Sequence, residues 1–568
     1  MKKYRWQLLI ILVTGLIVGV LLIVQQMDTG ETVESTPSPI TGGVYTEALI
    51  GDFMRLNPIL DVYNTPDRSV DQLVFSGLVK FDSKGIPQSE LAESWGVSKD
   101  GTVYNFSLRT DVYWHDGEVF DSSDVLFTIG VLQSQHGLIP EDLRKFWSEV
   151  EIVILSDSQL QFLLPEPFAP FLDYLTFGIL PEHILGGLGL EEIIDHPFNL
   201  APIGTGPFRF QRLLVENEKI VGVVLDAFED YYLDRPFLDE FIFRYYPTSN
   251  DALSAYQLGE VEGIGEVDET ILGEVLRDSD LAVYSAREPL LTMVYLNLDN
   301  PEVNFLKNPV FRRALLSSIN TNLIIERIYE GQAIPANGPI MPGTWAYYED
   351  IEKVNYDKVS AKSLFESTGV SFDEELDLYL SEEGLEVEVT FLSPDDSHHA
   401  DIAAIIKSNW EDLGINVILD VKPYEEVLAD LKSRMYQTAL VDINLTRSPD
   451  PDPYPFWGQA QIKSGQNYSE WDNRSASEFL EQARMMVDLS ERERLYRNFQ
   501  VLFMRELPSL PLLYPVYSCA ITTDIHGVNI GPIFEPSDRF NNVHNWYILS
   551  SKETSPTETL EITSSAIE

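Results

Sequence analysis

The chain has 568 residues, too many for one compact core, so two or more lobes are expected. Its 39 basic and 90 acidic side chains give a formal net charge of −51, which repels nucleic acid and anionic membrane surfaces and argues against such partners. The single cysteine, Cys519, excludes an intramolecular disulfide and a cysteine-rich metal site.

The N-terminal segment predicts a membrane anchor. Lys2, Lys3 and Arg5 precede WQLLIILVTGLIVGVLLIV (6–24), an uncharged run that is near the thickness of a bilayer core at about 1.5 Å per residue. The basic flank favours a cytoplasmic N-terminus and an extracytoplasmic location for the rest of the chain. Because no good cleavage site and no acceptor cysteine follow the run, an uncleaved signal anchor is expected over residues 1–27, with a cleaved signal peptide as the alternative.

Two polar segments flank the globule. DTGETVESTPSPIT (28–41) is acidic and rich in Ser, Thr and Pro, which predicts a linker. The end of the chain, over residues 549–568, has the same character and is expected to be disordered. The region between them shows no internal repeat of fixed period.

The first part of the globule mixes short strands and helices. LNPILDVYNTPDRSVDQLVFSGLVKF (56–81) predicts a helix with Thr65 as N-cap and Pro66 at the first helical position. VSKDGTVYNFSLR (97–109) alternates apolar and polar residues after an Asp100-Gly101 turn, which predicts a β-hairpin.

A histidine lies beside an aspartate in LRTDVYWHDGEVFDSSDV (108–125). His115 and Asp116 could form a catalytic dyad, or they could belong to a structural turn. The Asp116-Gly117 pair between apolar flanks is a strong turn signal, and no recognisable nucleophile motif lies nearby. A structural role is therefore predicted for His115.

The later part of the chain alternates strands and helices. Strands are predicted at LEVEVTFL (385–392), INVILDV (415–421) and YQTALVDINLT (436–446), with a helix at ADIAAIIKSNWEDLG (400–414). This alternation predicts an open α/β sheet whose ligand face lies beyond the carboxyl ends of its strands.

Motifs for nucleotide binding and hydrolysis are absent from the sequence, and no cofactor is expected. The cluster DDSHHAD (395–401) has metal-binding residue types, but acidic residues at a helix start indicate capping, so no metal site is predicted. PIGTGPFRF (202–210) lacks the lysine and the following helix of a phosphate loop, and its glycines predict a tight crossing between lobes.

The run NLTRSPDPDPYPFW (444–457) follows the end of a predicted strand. Its prolines prevent helix and central strand, so it is expected to form a stiff loop that displays aromatic and polar side chains. A small-ligand site is predicted there, facing the start of the first-lobe helix, and a surface turn is the alternative. The predicted substrate-binding residues are Asn64, Thr65, Arg447, Asp450, Tyr454 and Trp457.

Several ordered motifs resemble those of the family 5 solute-binding proteins, the extracytoplasmic receptors of bacterial peptide and nickel ABC importers. The motifs are LAESWGVSKDGTVYNFSLRTDVYWHDGEVFDSSDVLF, PIGTGPFRF, NPVFRRALLSSINTNLIIERIYEGQAIPANGPI, PDPDPYPFW and DRFNNVHNWYI. The resemblance covers about Gly42 to Ile548, nearly the whole globule.

This resemblance implies an α/β, two-lobed periplasmic-binding-protein fold that closes on a solute as a flytrap does. The first lobe is expected over 42–290 with an extra subdomain at about 80–200, the second over 291–506, and a return to the first over 507–548. Hinge crossings are expected near Leu290–Asn297 and Leu507–Pro515.

The implied function is that of a non-catalytic, monomeric receptor that captures a peptide-like solute and delivers it to permease subunits in the membrane. An oligosaccharide or a metal chelate is the alternative solute. A membrane-anchored hydrolase or sensor is the alternative of another class, which the lack of a nucleophile–base set and of a cytoplasmic output domain disfavours.

Two features depart from the family pattern. Many relatives are lipoproteins, whereas this chain lacks the acceptor cysteine. Peptide-binding members often carry an aspartate before the proline loop, where this chain has Arg447, which could hold a ligand carboxylate bidentately.

Overall fold

The computed structural model describes residues 38–549, except 135, 376–377, 383, 385 and 447–448. The predicted signal anchor, residues 28–37 of the linker and the tail beyond residue 549 lie outside these residues, and so does Arg447. Within the described part of the chain, no helix combines the length and the apolar character that crossing a membrane requires.

Helices and strands alternate along the described chain. The α-helices are Thr65–Val74, Ser122–Leu132, Glu141–Glu149, Glu182–Leu185, Leu190–Ile194, Ser249–Gln257, Glu269–Val275, Pro309–Ser318, Thr321–Ile328, Lys358–Ser367, Ser397–Leu413, Tyr424–Ser433, Tyr454–Trp457, Gln461–Ser464, Arg474–Met485 and Leu489–Glu506. The 3-10 helices are Ala169–Leu175, Pro197–Leu200, Pro301–Lys307, Pro536–Phe540 and Val543–Asn545.

The strands are mostly short. They are Pro39–Ile40, Val44–Ile50, Val79–Phe81, Pro87–Ser89, Ala92–Val97, Val103–Leu108, Glu151–Ser156, Gln159–Leu163, Phe208–Glu216, Lys219–Ala227, Glu240–Tyr246, Gly263–Ile264, Leu281–Arg287, Leu290–Leu296, Ala333–Pro335, Ser371–Asp373, Leu378–Leu380, Glu388–Pro394, Asn416–Lys422, Thr438–Asn444, Ser509–Thr522, Ile525–His526 and Tyr547–Leu549.

The sheet of the second lobe confirms the predicted strand–helix–strand alternation. Glu388–Pro394 pairs in parallel with Asn416–Lys422 on one side and with Thr438–Asn444 on the other. Thr438–Asn444 then pairs antiparallel with Leu290–Leu296. The helix Ser397–Leu413 ends at Gly414, whose φ of 104° is the left-handed conformation that glycine adopts without strain.

One long strand, Ser509–Thr522, belongs to both lobes. Its first half pairs with Leu290–Leu296 and its second half pairs with Leu281–Arg287. The partner changes between Pro515 and Val516, opposite the short link at 288–289. These two points, next to the expected hinge crossings, are where the backbone passes from one lobe to the other.

Each lobe has its own hydrophobic core. One core draws its residues from 45–286 and 517–546, and the other draws them from 291–514 together with Phe534. The C-terminal segment returns to the first core, where Arg539 and Glu47 form a fully buried ion pair at 2.7 Å. Trp546 packs nearby, edge-on to Tyr45, with ring centroids 5.8 Å apart.

The extra sheet of the first lobe has four antiparallel strands in the order Ala92–Val97, Val103–Leu108, Gln159–Leu163, Glu151–Ser156. The first two strands confirm the hairpin predicted at Asp100-Gly101. Gly101 has a φ of 73°, which the turn requires and glycine supplies without strain.

The helix Thr65–Val74 begins one residue earlier than predicted. Asn64, not Thr65, is the N-cap, because its carbonyl accepts the first intrahelical hydrogen bond from the Arg68 amide at 3.1 Å. The Asn64 side chain donates to the Asp67 carboxylate at 2.5 Å and to the Asp52 carbonyl at 3.2 Å. The helix start is thus fixed by side chains of the first lobe.

Candidate functional site

A cavity of about 660 Å³ lies where the two lobes meet. The first lobe lines it with the helix Thr65–Val74, the 3-10 helix Ala169–Leu175 and residues of the C-terminal segment 529–544. The second lobe contributes the proline loop through Thr446, Pro449, Asp450 and Asp452. A volume of this size accommodates a small solute, and both lobes would contact it.

The described wall of this cavity is strongly acidic. Its cationic side chains are Arg68 and Lys80, and each already has a carboxylate partner. Burial lowers the pKa of His544, so this wall residue is neutral at physiological pH. The carboxylates are Asp61, Asp71, Asp82, Glu90, Asp142, Asp173, Asp450, Asp452, Glu535 and Asp538.

The proline loop is anchored by two ion pairs. Asp450 lies 2.5 Å from Arg492, with only 7% and 5% of their side chains exposed, and it accepts the Tyr496 hydroxyl at 3.2 Å. Asp452 lies 3.0 Å from Arg484, whose guanidinium stacks over the Tyr454 ring at 4.7 Å. These partners hold both carboxylates as structural groups, even though both residues line the cavity.

The predicted site residues are only partly brought together. Asp450 is on the cavity wall, while Asn64 caps and Thr65 begins the helix Thr65–Val74, and neither of these two residues lines the cavity. Tyr454 packs against Arg484 behind the loop. Trp457 is 2% exposed in the second-lobe core, 4.8 Å from the Phe503 ring, so it does not reach the cavity.

Two first-lobe carboxylates were missed by the sequence reasoning. Asp71 is 3% exposed, and neither of its oxygens has a hydrogen bond of ordinary geometry among the described residues. Burial, followed by the charges of Asp61 and Asp67, raises its pKa well above the usual value. A buried carboxyl group in this state is costly unless a proton neutralises it.

The second missed residue, Asp173, contacts the proline loop at the edge of the cavity. Its Oδ2 accepts a hydrogen bond from the Asp450 backbone amide at 3.0 Å, which joins the two lobes. Burial, followed by the charge of Asp450, raises the pKa of Asp173. Its place in FLDYL, within an apolar 3-10 helix, gave no sequence signal that it would meet the second lobe.

Further contacts hold the lobes together. The Trp345 amide donates to the Lys84 carbonyl at 2.8 Å, and Arg484 of the second lobe stacks on Phe168 of the first at 5.1 Å. His398 and Glu269 pair at 3.1 Å. The lobes are therefore in direct contact in this structure.

His115 has the structural surroundings expected from its turn. Its backbone amide donates to the Gly204 carbonyl at 2.9 Å, and its Nδ1 accepts the Gly204 amide at 3.2 Å, so Nε2 donates to the Gly206 carbonyl at 3.0 Å. Burial lowers its pKa to about 4, which keeps the ring neutral. The prediction of a structural role is confirmed by these three bonds.

The glycine loop 202–210 lies within the first lobe, not between lobes as expected. A Cβ on Gly204 would lie 1.9 Å from the carbonyl oxygen of Val74, at the end of the helix Thr65–Val74. Only glycine permits this approach, so the predicted close backbone contact is present. The predicted position of this contact, between the lobes, was wrong, because it lies within the first lobe.

The histidines of the 395–401 cluster have other partners than a metal. Asp396 caps the helix Ser397–Leu413 by accepting the His399 amide at 3.1 Å, as predicted. Burial opposes the charge on His399, but hydrogen bonds and charge from Asp442 and then Asp396 outweigh it and raise its pKa to about 9. His399 is therefore an ion-pair partner of Asp442, at 3.1 Å.

Comparison with known proteins gives one consistent result. Residues 87–464 match the family described as bacterial extracellular solute-binding proteins, family 5 Middle. The chain is 24% identical over 526 residues to the oligopeptide-binding protein AppA of Bacillus subtilis, covering 91% of this chain and 93% of that protein. It is 26% identical over 476 residues to the dipeptide-binding protein of Escherichia coli, covering 78% and 84%.

Solved structures show the same fold. HbpA2 from Haemophilus parasuis superposes with a TM-score of 0.77 at 20% identity, over 90% of this chain and 100% of that one. At this identity the likeness concerns the fold, which is the mixed α/β, two-lobed fold of periplasmic binding proteins.

Proposed function

The chain belongs to the bacterial extracellular solute-binding proteins of family 5, and from this premise we propose that it captures a peptide between its lobes and delivers it to the permease of an ABC importer. The observation that carries the proposal is the 660 Å³ cavity lined by both lobes. A solute that contacts both walls stabilises the closed form over the open one, by as much as its affinities for the two forms differ.

Capture requires no covalent chemistry in this proposal. The solute replaces water in the cavity, and contacts such as the bond from the Asp450 amide to Asp173 close over it. Because the backbone passes between the lobes at two points, near 288–289 and 515–516, small rotations there can open the cavity. Transport energy then comes from the separate ATPase of the importer.

Two predicted features complete the proposal. The apolar run at 6–24 holds the monomeric receptor to the membrane, with its globule on the extracytoplasmic side. Arg447, within the run 444–457, binds a carboxylate of the peptide. Both expectations concern residues outside the described ranges.

Calorimetric titration of the full-length protein in detergent with a mixed series of di- to pentapeptides tests the proposal. We expect saturable binding with one site per chain and a fall in the radius of gyration, measured by small-angle scattering. Arg447→Ala should weaken binding of free peptides and have little effect on their C-terminal amides. Glu326→Gln, which changes an exposed side chain of the helix Thr321–Ile328, serves as the control. Absence of binding to every peptide, with saturable binding of an oligosaccharide or a metal chelate, would contradict the proposed solute.

A further inference from the structure

A turn of the first lobe is held rigidly where the lobes meet. It spans residues 82–86 and connects the two strands of a hairpin. The Asp82 carboxylate accepts the amides of Lys84 and Ile86 at 2.8 and 3.0 Å, and the Gly85 amide donates to the Asp82 carbonyl at 2.9 Å. Because these bonds fix its backbone, the turn keeps its shape when the lobes move.

Two segments of the second lobe contact this turn at adjacent residues. The Trp345 amide donates to the Lys84 carbonyl at 2.8 Å. At the next residue, a Cβ built on Gly85 would lie 2.9 Å from the carbonyl oxygen of Pro449. Gly85 also has a φ of 78°, a conformation that glycine adopts without strain. A side chain at this position would therefore hold the turn and the proline loop apart.

Arg492 joins the two second-lobe segments. Its guanidinium lies 5.1 Å from the centre of the Trp345 ring and 2.5 Å from the carboxylate of Asp450, which follows Pro449. The Tyr496 ring packs against Trp345 with centroids 5.6 Å apart, and its hydroxyl donates to Asp450 at 3.2 Å. Since both segments share these two partners, a displacement of one segment should disturb the other.

The contact with the turn lies beside the cavity and not in its wall. The described residues that line the cavity include Asp450 but not Lys84, Gly85 or Trp345. The Asp450 amide donates to the Asp173 carboxylate of the first lobe at 3.0 Å, so the amides of Trp345 and Asp450 both bond across the lobes. The turn can therefore affect closure without contacting a solute.

We propose that the turn 82–86, Trp345 and Pro449 form a clasp whose fit sets the balance between open and closed lobes. Closing brings the Lys84 carbonyl to the Trp345 amide, and the missing side chain of Gly85 lets the lobes approach to this distance. Because the apparent affinity for a solute falls with the fraction of protein that can close, the clasp also scales affinity. Only this last effect rests on the proposed function.

Gly85→Ala tests the clasp, with Gly187→Ala as the matched control. Gly187 also has a left-handed backbone, with a φ of 80°, but a Cβ there has nothing within 4 Å. Both variants should carry similar backbone strain, and only Gly85→Ala adds a contact with the other lobe. Thermal unfolding should show similar losses for the two variants, because opening of the lobes relieves the added contact without unfolding.

Hydrogen–deuterium exchange of the full-length protein without added solute, read at single residues by mass spectrometry, measures the clasp directly. The amides of Trp345 and Asp450 report on closure from the second lobe, whereas the substitution is in the first. We expect both amides to exchange at least about fivefold faster in Gly85→Ala than in Gly187→Ala, because the added contact is costly in the closed form alone. A smaller change at either amide would overturn the proposal.

Trp345→Leu tests the clasp from the second lobe. It removes the ring beside Arg492 and keeps the backbone amide. The Asp450 amide should exchange at least about threefold faster, while the amides of the strand Thr438–Asn444 keep their rates as an internal control. A smaller change at Asp450 would show that the two contacts are independent and would contradict the clasp.

Peptide titration separates the clasp from the proposed function. Gly85→Ala should weaken every peptide of the di- to pentapeptide series by a similar factor, at least about fivefold, while Gly187→Ala stays within about twofold. Losses that differ widely among peptides would place Gly85 at the solute and contradict the clasp. Faster exchange without any peptide binding would support the clasp and contradict the proposed solute. Peptide binding with unchanged exchange would overturn the clasp and leave the proposed function intact.

Discussion

Replacing Asp450 by asparagine should destabilise the protein by roughly 3 kcal/mol, because the substitution leaves the buried Arg492 charge without its carboxylate. The two side chains are 7% and 5% exposed and lie 2.5 Å apart, so water cannot replace the lost partner. Loss of one member of a buried pair typically costs about 3–5 kcal/mol. Arg492 keeps its bonds to the Ala483 carbonyl at 2.9 Å and the Tyr496 hydroxyl at 3.1 Å, which places the expected cost at the lower end.

A double-mutant cycle measures the pair itself. Arg492→Met alone should also destabilise, whereas Asp450→Asn combined with Arg492→Met should cost at least about 2 kcal/mol less than the sum of the single changes, because neither charge is then left alone. Urea unfolding followed by tryptophan fluorescence gives each free energy. The matched control is Glu478→Gln, which removes an exposed partner 2.9 Å from Arg474 and should cost no more than about 0.5 kcal/mol. A loss for Asp450→Asn as small as that of the control would refute the reasoning.

Three further predictions concern the fold and one predicted site residue, Trp457. Burial lowers the pKa of His115 to about 4, so as the pH falls below about 6.5 the unfolded chain takes up a proton at this residue while the folded chain does not. The free energy of unfolding should therefore fall by up to about 3 kcal/mol between pH 6.5 and 4. Urea unfolding of His115→Gln over the same range should show a weaker dependence of this free energy on pH. Trp457→Ala should cost about 3–5 kcal/mol of stability, because the ring fills the second-lobe core. The affinity for peptide should change by no more than a few-fold. A loss of affinity at unchanged melting temperature would show that Trp457 contacts the ligand. Gly204→Ala should destabilise the protein by at least about 2 kcal/mol, because the new Cβ would lie 1.9 Å from the Val74 carbonyl oxygen. The control is Gly130→Ala on the helix Ser122–Leu132, where a Cβ has open space and should stabilise the protein by up to about 1 kcal/mol. Thermal unfolding compares the two variants.

The elements with strong local periodicity could be predicted from the sequence. The strand Glu388–Pro394 opens with alternating polar and apolar residues whose burial alternates in the same way, as in a half-buried pleat. Thr438–Asn444 is instead buried over its first four residues, and a short apolar run bounded by polar residues predicted it. The first residues of helices were harder to predict. Asn64, Thr65 and Pro66 are all compatible with a helix start, so the sequence did not identify Asn64 as the N-cap.

The lining of the cavity could not be predicted from local sequence, because it is formed by contacts between distant parts of the chain. The prolines predicted a run without helix, but the last four residues, Tyr454–Trp457, form a short helix that begins after Pro453. Proline spacing also could not tell that Trp457 turns inward to Phe503 while Asp450 turns to Arg492. Asp71 and Asp173 meet the cavity only because the helices that carry them pack into the same lobe face. Nothing in their local sequences distinguishes them from ordinary helix-surface aspartates.

Native mass spectrometry of the full-length protein, purified without refolding, tests the central claim most directly. We expect a bound species that is released on activation and whose fragment ions give a peptide sequence. A bound oligosaccharide or metal chelate would contradict it, as would an empty protein that takes up no species from a mixed peptide pool.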